Sequence, residues 1–164
     1  MSRAFLSLGS NLGDRMGYLR SASTALGRGP RMKIAGISKI YETTPVEVEE
    51  AQPEYLNCVV ALECGVPAVE LLRFCQGVEA ALGRERKGER APRTIDIDLL
   101  LFGEEVVEES GLLVPPPGIL RAFNLRGLAD LGSDIEVPGY GTVGALLEGV
   151  DMEGVRELEG TRLC

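Results

Sequence analysis

The run RTIDIDLLLFG, residues 93–103, places two carboxylates, Asp96 and Asp98, two residues apart in a pattern that alternates like a β-strand. Residues i and i+2 of a strand project from one face with Cα atoms ~7 Å apart, so both carboxylates can point at one small volume. Unpaired, they repel, and one would take up a proton. A hard divalent cation removes the conflict, and Mg²⁺ favours one or two carboxylates, several waters and substrate phosphates. Asp-x-Asp alone also fits two surface aspartates on an edge strand. Ile95, Ile97 and Leu99 take the opposite face, and Leu99 to Phe102 form a near-continuous apolar run. Such a run marks a strand buried on both faces, so the aspartates sit where a buried strand emerges.

Immediately upstream, GRERKGERAPR (residues 83–93) gathers Arg84, Arg86, Lys87, Arg90 and Arg93 in an acidic protein. By itself the stretch fits a solvated loop partly neutralised by Glu85 and Glu89. Beside the carboxylate pair it fits a polyphosphate clamp, with a metal bridging phosphate oxygens and the arginines neutralising the rest. Gly83 and Gly88 would let the loop close over a nucleotide. With five positive charges and little apolar anchor, the loop is expected to be mobile without ligand and to order on MgATP. The chain has neither a P-loop nor the protein-kinase loop set. Another glycine-rich stretch, GSNLGDR (residues 9–15), reads as a tight strand–helix turn.

The length of 164 residues and an apolar fraction of 45% suggest one domain spanning 1–164 with a real core. A net charge of −8 argues against general nucleic-acid binding. No apolar run reaches ~18 residues, so no membrane span is expected, and the N-terminus lacks the apolar core of a signal peptide. The cysteines at 58, 64, 75 and 164 form no C-x-x-C pair, which favours reduced thiols in the cytoplasm. The chain contains no histidine, which removes His-ligated zinc, Ser-His and Cys-His nucleophiles and imidazole acid–base work.

The elements that must position these residues follow from periodicity and breakers. Strands are expected at 3–8, 32–42 and 55–64, with a Pro-bounded loop at 43–54. On the 55–64 strand, Tyr55, Asn57, Val59 and Ala61 share a face. Helices are expected at 15–27, at 67–82 from the spacing of Val69, Leu72, Cys75, Val78, Glu79 and Leu82, at 119–131, and as a short turn at 142–149. LLVPPPG, residues 112–118, reads as extended. Interleaved strands and helices with short strand connections suggest an α+β or α/β sandwich.

The combination of LGSNLGDR, YETTPVE…QPEYLNCVVAL, GRERKGERAPRTIDIDLLLFG and LLVPPP resembles the 6-hydroxymethyl-7,8-dihydropterin pyrophosphokinases of folate biosynthesis, from about residue 4 to 148. The resemblance implies a ferredoxin-like α+β sandwich, a central mostly antiparallel sheet flanked by helices. It implies transfer of a pyrophosphoryl group from MgATP to the hydroxymethyl group of a reduced pterin, releasing AMP. On the same ground Asp96 and Asp98 would hold two Mg²⁺ ions, and Arg84, Arg86 and Arg93 would meet the triphosphate. Gln76 and Glu79 would face the nucleotide. Tyr55, Asn57 and Phe123 would form the pterin pocket, walled by the main chain at Thr43, Thr44 and Val46. An aromatic beside an amide that donates and accepts suits a flat, hydrogen-bonding heterocycle. Expected partners are ATP and the pterin, with no nucleic acid or membrane, in a monomeric cytoplasmic enzyme. Family members often carry a tryptophan in the basic loop and a histidine after it; Ala91 and Pro116 stand in those regions here. A non-catalytic pterin- or nucleotide-binding relative, and a Mg²⁺-dependent nucleotidyltransferase releasing pyrophosphate, are the alternatives.

Overall fold

A computed structural model describes residues 1–44, 54–83, 94–109 and 111–158. In chain order its strands are β1 (Ser2–Ser10), β2 (Met32–Ile37), β3 (Tyr41–Thr43), β4 (Tyr55–Cys64), β5 (Asp96–Phe102), β6 (Val107–Glu109), β7 (Leu112–Val114), β8 (Glu136–Val137), β9 (Gly141–Thr142) and β10 (Val155–Glu157). The helices are α1 (Arg15–Gly27), α2 (Ala68–Ala81), α3 (Ala122–Leu131) and α4 (Val143–Glu148), with a 3-10 turn at Pro117–Leu120. None of the described helices is long and apolar enough to cross a membrane.

The central sheet runs β10-β3-β4-β1-β5, with β2 pairing β4 alongside β3. Every pairing in it is antiparallel. Helix α1 follows β1, and α2 connects β4 to β5, which is the βαββαβ order of a ferredoxin-like α+β sandwich. Strand alternation sorts the side chains onto two faces. Leu6, Leu8, Cys58, Val60 and Ile97 pack with Leu19, Ala22 and Leu26 of α1 and Leu71, Cys75 and Val78 of α2. Phe5, Val59, Ala61 and Leu101 pack on the other face with Leu128 of α3 and Val143 of α4. A bulge between Phe5 and Leu6 slips the β1–β5 register by one residue. Leu99, Leu100, Leu101 and Phe102 are all buried, as the apolar run implies.

The turn at GSNLGDR is as the sequence suggests. Gly13 takes a positive φ of 70°, and the Asp14 side chain caps α1 by accepting from Gly17 N–H at 3.0 Å. The single strand expected at 32–42 is instead two. At the break, Ser38 N–H donates to Val59 O and the Ser38 hydroxyl accepts from Val59 N–H, each at 2.8 Å. A side-chain oxygen thus replaces a ladder carbonyl, and the chain bulges before β3 resumes pairing. LLVPPPG is extended only to Pro116, since Pro117 opens the 3-10 turn. The helix expected from residue 119 therefore starts at Ala122, after Arg121 swings to ψ 140°. The two-residue strands β8 and β9, and β10 on β3, are too short to carry a period.

Arg84, Arg86, Arg93 and Val46 lie outside the described residues, as does the basic-loop lid from residue 84 to 93.

Candidate active site

Register across four strands lines up Tyr41, Asn57, Gly9 and Asp96 in one row. Thr43 and Tyr55 pair on one side of that row, and Val59, Ser7 and Asp98 on the other. Directly opposed residues share a face, and so do residues two apart, so all nine belong to one face of the sheet. It is the face under α3. A Cβ built on Gly127 of α3 would meet Val59 Cγ2 at 2.4 Å, so only glycine lets the helix come this close. Helix α3 thus covers the apolar part of this face, and the polar part carrying Asn57 and the aspartates lies beside it.

Gly9 makes the floor of that polar part. A Cβ there would stand 2.7 Å from Asn57 Oδ1 and 3.4 Å from Tyr55 Cδ1, so the amide and the ring both lean over the glycine. Two strand spacings separate Asn57 from Asp96, roughly 10 Å between Cα atoms. The result is a trough with an amide and an aromatic ring on one bank and carboxylates on the other.

Asn57 is 5% exposed and its Nδ2 donates to Thr43 Oγ1 at 2.6 Å. That bond sets the amide's orientation, and burial makes leaving it unmade costly. Thr44 is exposed, and its N–H is already taken by Gly154 O at 3.1 Å. What Thr44 can offer a ligand is therefore its carbonyl or its hydroxyl. Tyr55 and Phe123 are half-buried. Phe123 stands one turn before Gly127, and residues four apart share a helix side, so it belongs to the side of α3 that approaches the sheet.

On the other bank, Asp96 is half-buried and Asp98 exposed. Between them, Ile97 N–H donates to Glu79 Oε2 of α2 at 2.9 Å. Glu79 is 3% exposed, so its carboxylate holds the backbone between the aspartates from within the protein. Gln76, one turn earlier, is exposed. Among the described residues no three His, Cys, Asp or Glu side chains converge as an all-protein metal cage. Two hard carboxylates on one strand face fit Mg²⁺, which completes its shell with water and phosphate oxygens.

A charge network lies on the opposite face of the sheet, where Glu42 and Leu56 pair between the trough residues. Arg15 Nη1 donates to Glu42 Oε2 at 3.1 Å and to Glu54 O at 2.8 Å. Arg156 Nη2 of β10 reaches Glu42 Oε1 at 3.1 Å and Glu54 Oε2 at 2.5 Å. The Arg156 hydrogen bond holds the Glu54 carboxyl below its ordinary range. Asn11, Leu12, Gly13, Arg15, Glu42 and Glu54 line a cavity of about 410 Å³ there. Sequence reasoning missed Gly9, the Thr43 hydroxyl and this network. The alternation of β1 and β4 puts Gly9 and Asn57 on comparable faces, but only pairing reveals that they meet. Nothing local links Arg156 to Glu42.

The family model described as 7,8-dihydro-6-hydroxymethylpterin-pyrophosphokinase (HPPK) matches residues 5–133. The chain is 39% identical over 154 residues to a 2-amino-4-hydroxy-6-hydroxymethyldihydropteridine pyrophosphokinase of Bacillus subtilis, covering 93% of this chain and 88% of that one. It is 34% identical over 161 residues to the protein of that name in Pseudomonas aeruginosa, covering 98% of this chain and 99% of that one. A Plasmodium falciparum HPPK-DHPS structure shares the fold, with a TM-score of 0.73 at 13% identity over 95% of this chain. The chain spans about half of that longer structure, 48%.

Proposed function

The chain belongs to the 7,8-dihydro-6-hydroxymethylpterin-pyrophosphokinase family, and on that footing we propose how its own residues divide the reaction. The protein is a transferase that moves a pyrophosphoryl group from ATP to the hydroxymethyl group of 6-hydroxymethyl-7,8-dihydropterin, releasing AMP, in folate biosynthesis. The pterin hydroxyl oxygen forms a bond to the β-phosphorus as the bond to the α-phosphate oxygen breaks, and the hydroxyl proton is lost.

The pterin lies in the trough over Gly9. Asn57 reads its hydrogen-bonding edge, Tyr55 and Phe123 hold its faces, and the main chain at Thr43 and Thr44 closes one end. Asp96 and Asp98 would face the triphosphate and would hold the two Mg²⁺ ions that the family resemblance implies. Mg²⁺ held by these carboxylates would supply neutralisation of the phosphate charge that builds up in the transition state. Glu79 fixes the strand that carries the aspartates, and Gln76 lies toward the nucleotide. Arg84, Arg86 and Arg93 supply the remaining positive charge. The chain works as a single 1–164 domain, a cytoplasmic monomer acting on small molecules, without nucleic acid or membrane. Nothing in the comparisons favours the non-catalytic alternative.

The observation that carries this division is the row Asn57–Gly9–Asp96, which sets a heterocycle-reading amide and a metal-ready carboxylate on opposite banks of one trough. Phosphorus NMR of ATP, Mg²⁺ and the pterin should show AMP and a pterin diphosphate. Asp96→Ala and Asp98→Ala should each stop turnover and lose Mg²⁺-dependent ATP binding while staying folded. Near wild-type activity in either variant would refute the metal assignment, and pyrophosphate as product would point to nucleotidyl transfer.

A further inference from the structure

Tyr41 stands in the same row as Asn57, on the strand that also supplies Thr43. It is 2% exposed, yet its hydroxyl does not serve the trough. It donates to Asp130 Oδ2 of α3 at 2.6 Å. The same carboxylate oxygen accepts from Lys39 N–H at 3.2 Å. The Arg126 guanidinium, one turn earlier on α3, lies 5.9 Å from the centroid of the Tyr41 ring. Two residues of α3 therefore grip one tyrosine of β3. Gly127, between them, seats the helix on Val59 of β4.

We infer that Tyr41 and Asp130 are positioning residues for the reaction: their hydrogen bond fixes how far α3 stands from β3, and so the width of the slot between Phe123 and the Asn57–Tyr55 bank. This rests on the proposed placement of the pterin. The argument is geometric. Phe123 belongs to the side of α3 that carries Gly127 and Asp130, the residues four and seven places on. Asn57 is directly opposite Tyr41 and takes its orientation from Thr43, two residues along β3. Any shift of α3 relative to β3 therefore changes the distance between the aromatic and the amide that must hold one flat ring. The contact joins a phenol to a carboxylate, and charge-assisted hydrogen bonds are short and strong. Burial, and then the Asp130 carboxylate, push the Tyr41 phenol well above its ordinary range, so it remains a donor throughout the neutral and mildly alkaline range.

The test is steady-state kinetics on the full chain, varying pterin and ATP separately. Tyr41→Phe keeps the ring and removes only the donor. It should raise KM for the pterin about tenfold, with kcat and KM for ATP within about twofold of wild type. Asp130→Ala should do the same, and the double variant should be no worse than either alone. Asp130→Asn keeps an accepting oxygen and should restore KM for the pterin. Asn57→Ala and Phe123→Ala are measured in parallel. If they raise KM for the pterin and Tyr41→Phe does not, the positioning role is overturned and the pocket stands. A fall in kcat with both KM values unchanged, tracking lost folded protein, would mean the bond serves the fold alone. If Asn57→Ala and Phe123→Ala also leave KM for the pterin unchanged, the pocket assignment fails and the positioning role falls with it.

Discussion

Glu79 accepts a hydrogen bond from the Ile97 backbone, the residue between Asp96 and Asp98, at 2.9 Å. A buried carboxylate on α2 therefore determines where the two exposed-side carboxylates of β5 stand. Glu79→Ala leaves that N–H unmatched and should cost about 1–3 kcal/mol of stability. It should also weaken Mg²⁺-dependent ATP binding about tenfold, whereas Glu79→Gln keeps an acceptor and most of both. Urea unfolding and ATP titration with and without Mg²⁺ measure the two effects. Lost stability with unchanged ATP affinity would limit Glu79 to the fold.

Gly9→Ala tests the trough floor. Its Cβ would stand 2.7 Å from Asn57 Oδ1, so the amide must swing away. Pterin affinity should fall about tenfold, with a stability cost of about 1–3 kcal/mol from overpacking. MgATP binding should change little. Isothermal titration with each ligand decides it, and equal losses for both ligands would place Gly9 in the fold rather than in pterin recognition.

Thr43→Val is nearly isosteric but removes the acceptor for Asn57 Nδ2. Pterin affinity should drop about tenfold, and Thr43→Ser should recover most of it. In an Asn57→Ala background the same change should have little further effect. Pterin fluorescence titrations across the four proteins give the coupling; full additivity would mean that the hydroxyl acts independently of the amide.

Alkali should destabilise the protein. Burial pushes the Cys58 thiol from 9.0 up to about 12, and Tyr41 is shifted upward too. A raised pKa means the folded state holds its proton while the unfolded chain releases it. The stabilising contribution is whole below pH about 9 and is lost progressively as pH rises toward about 12. The melting temperature should fall across that window. At neutral pH the buried Cys58, Cys64 and Cys75 should resist a thiol reagent until the protein unfolds. Rapid native labelling of Cys58 would contradict the burial argument.

The architecture was legible where periodicity is long. Helix α2 and strand β4 lie within a residue of where their patterns mark them, because a buried stripe over ten residues or more leaves few alternatives. The break at Ser38 was not legible, because it turns on a hydroxyl standing in for a carbonyl toward a strand 21 residues away. Asp96 and Asp98 stood out by spacing; Asn57 and Tyr55 share a strand face with Val59 and Ala61, and only the family resemblance singled them out. Gly9, Glu79 and Tyr41 act by register and by contact between elements, and no local pattern encodes either.

Among the described residues β5 pairs with β1 alone, and β1 is the first strand in chain order. Residues 9, 57 and 96 thus meet only when the chain's opening strand has been joined, on its far side, by a segment made much later. A nascent chain emerging from the ribosome through β4 can already set Asn57 and Tyr55 over Gly9, but it has neither Phe123 nor the paired aspartates. On the proposed division of the site, an intermediate lacking β5 has neither carboxylate in place, so recovery of ATP turnover during refolding should lag until β5 has joined β1.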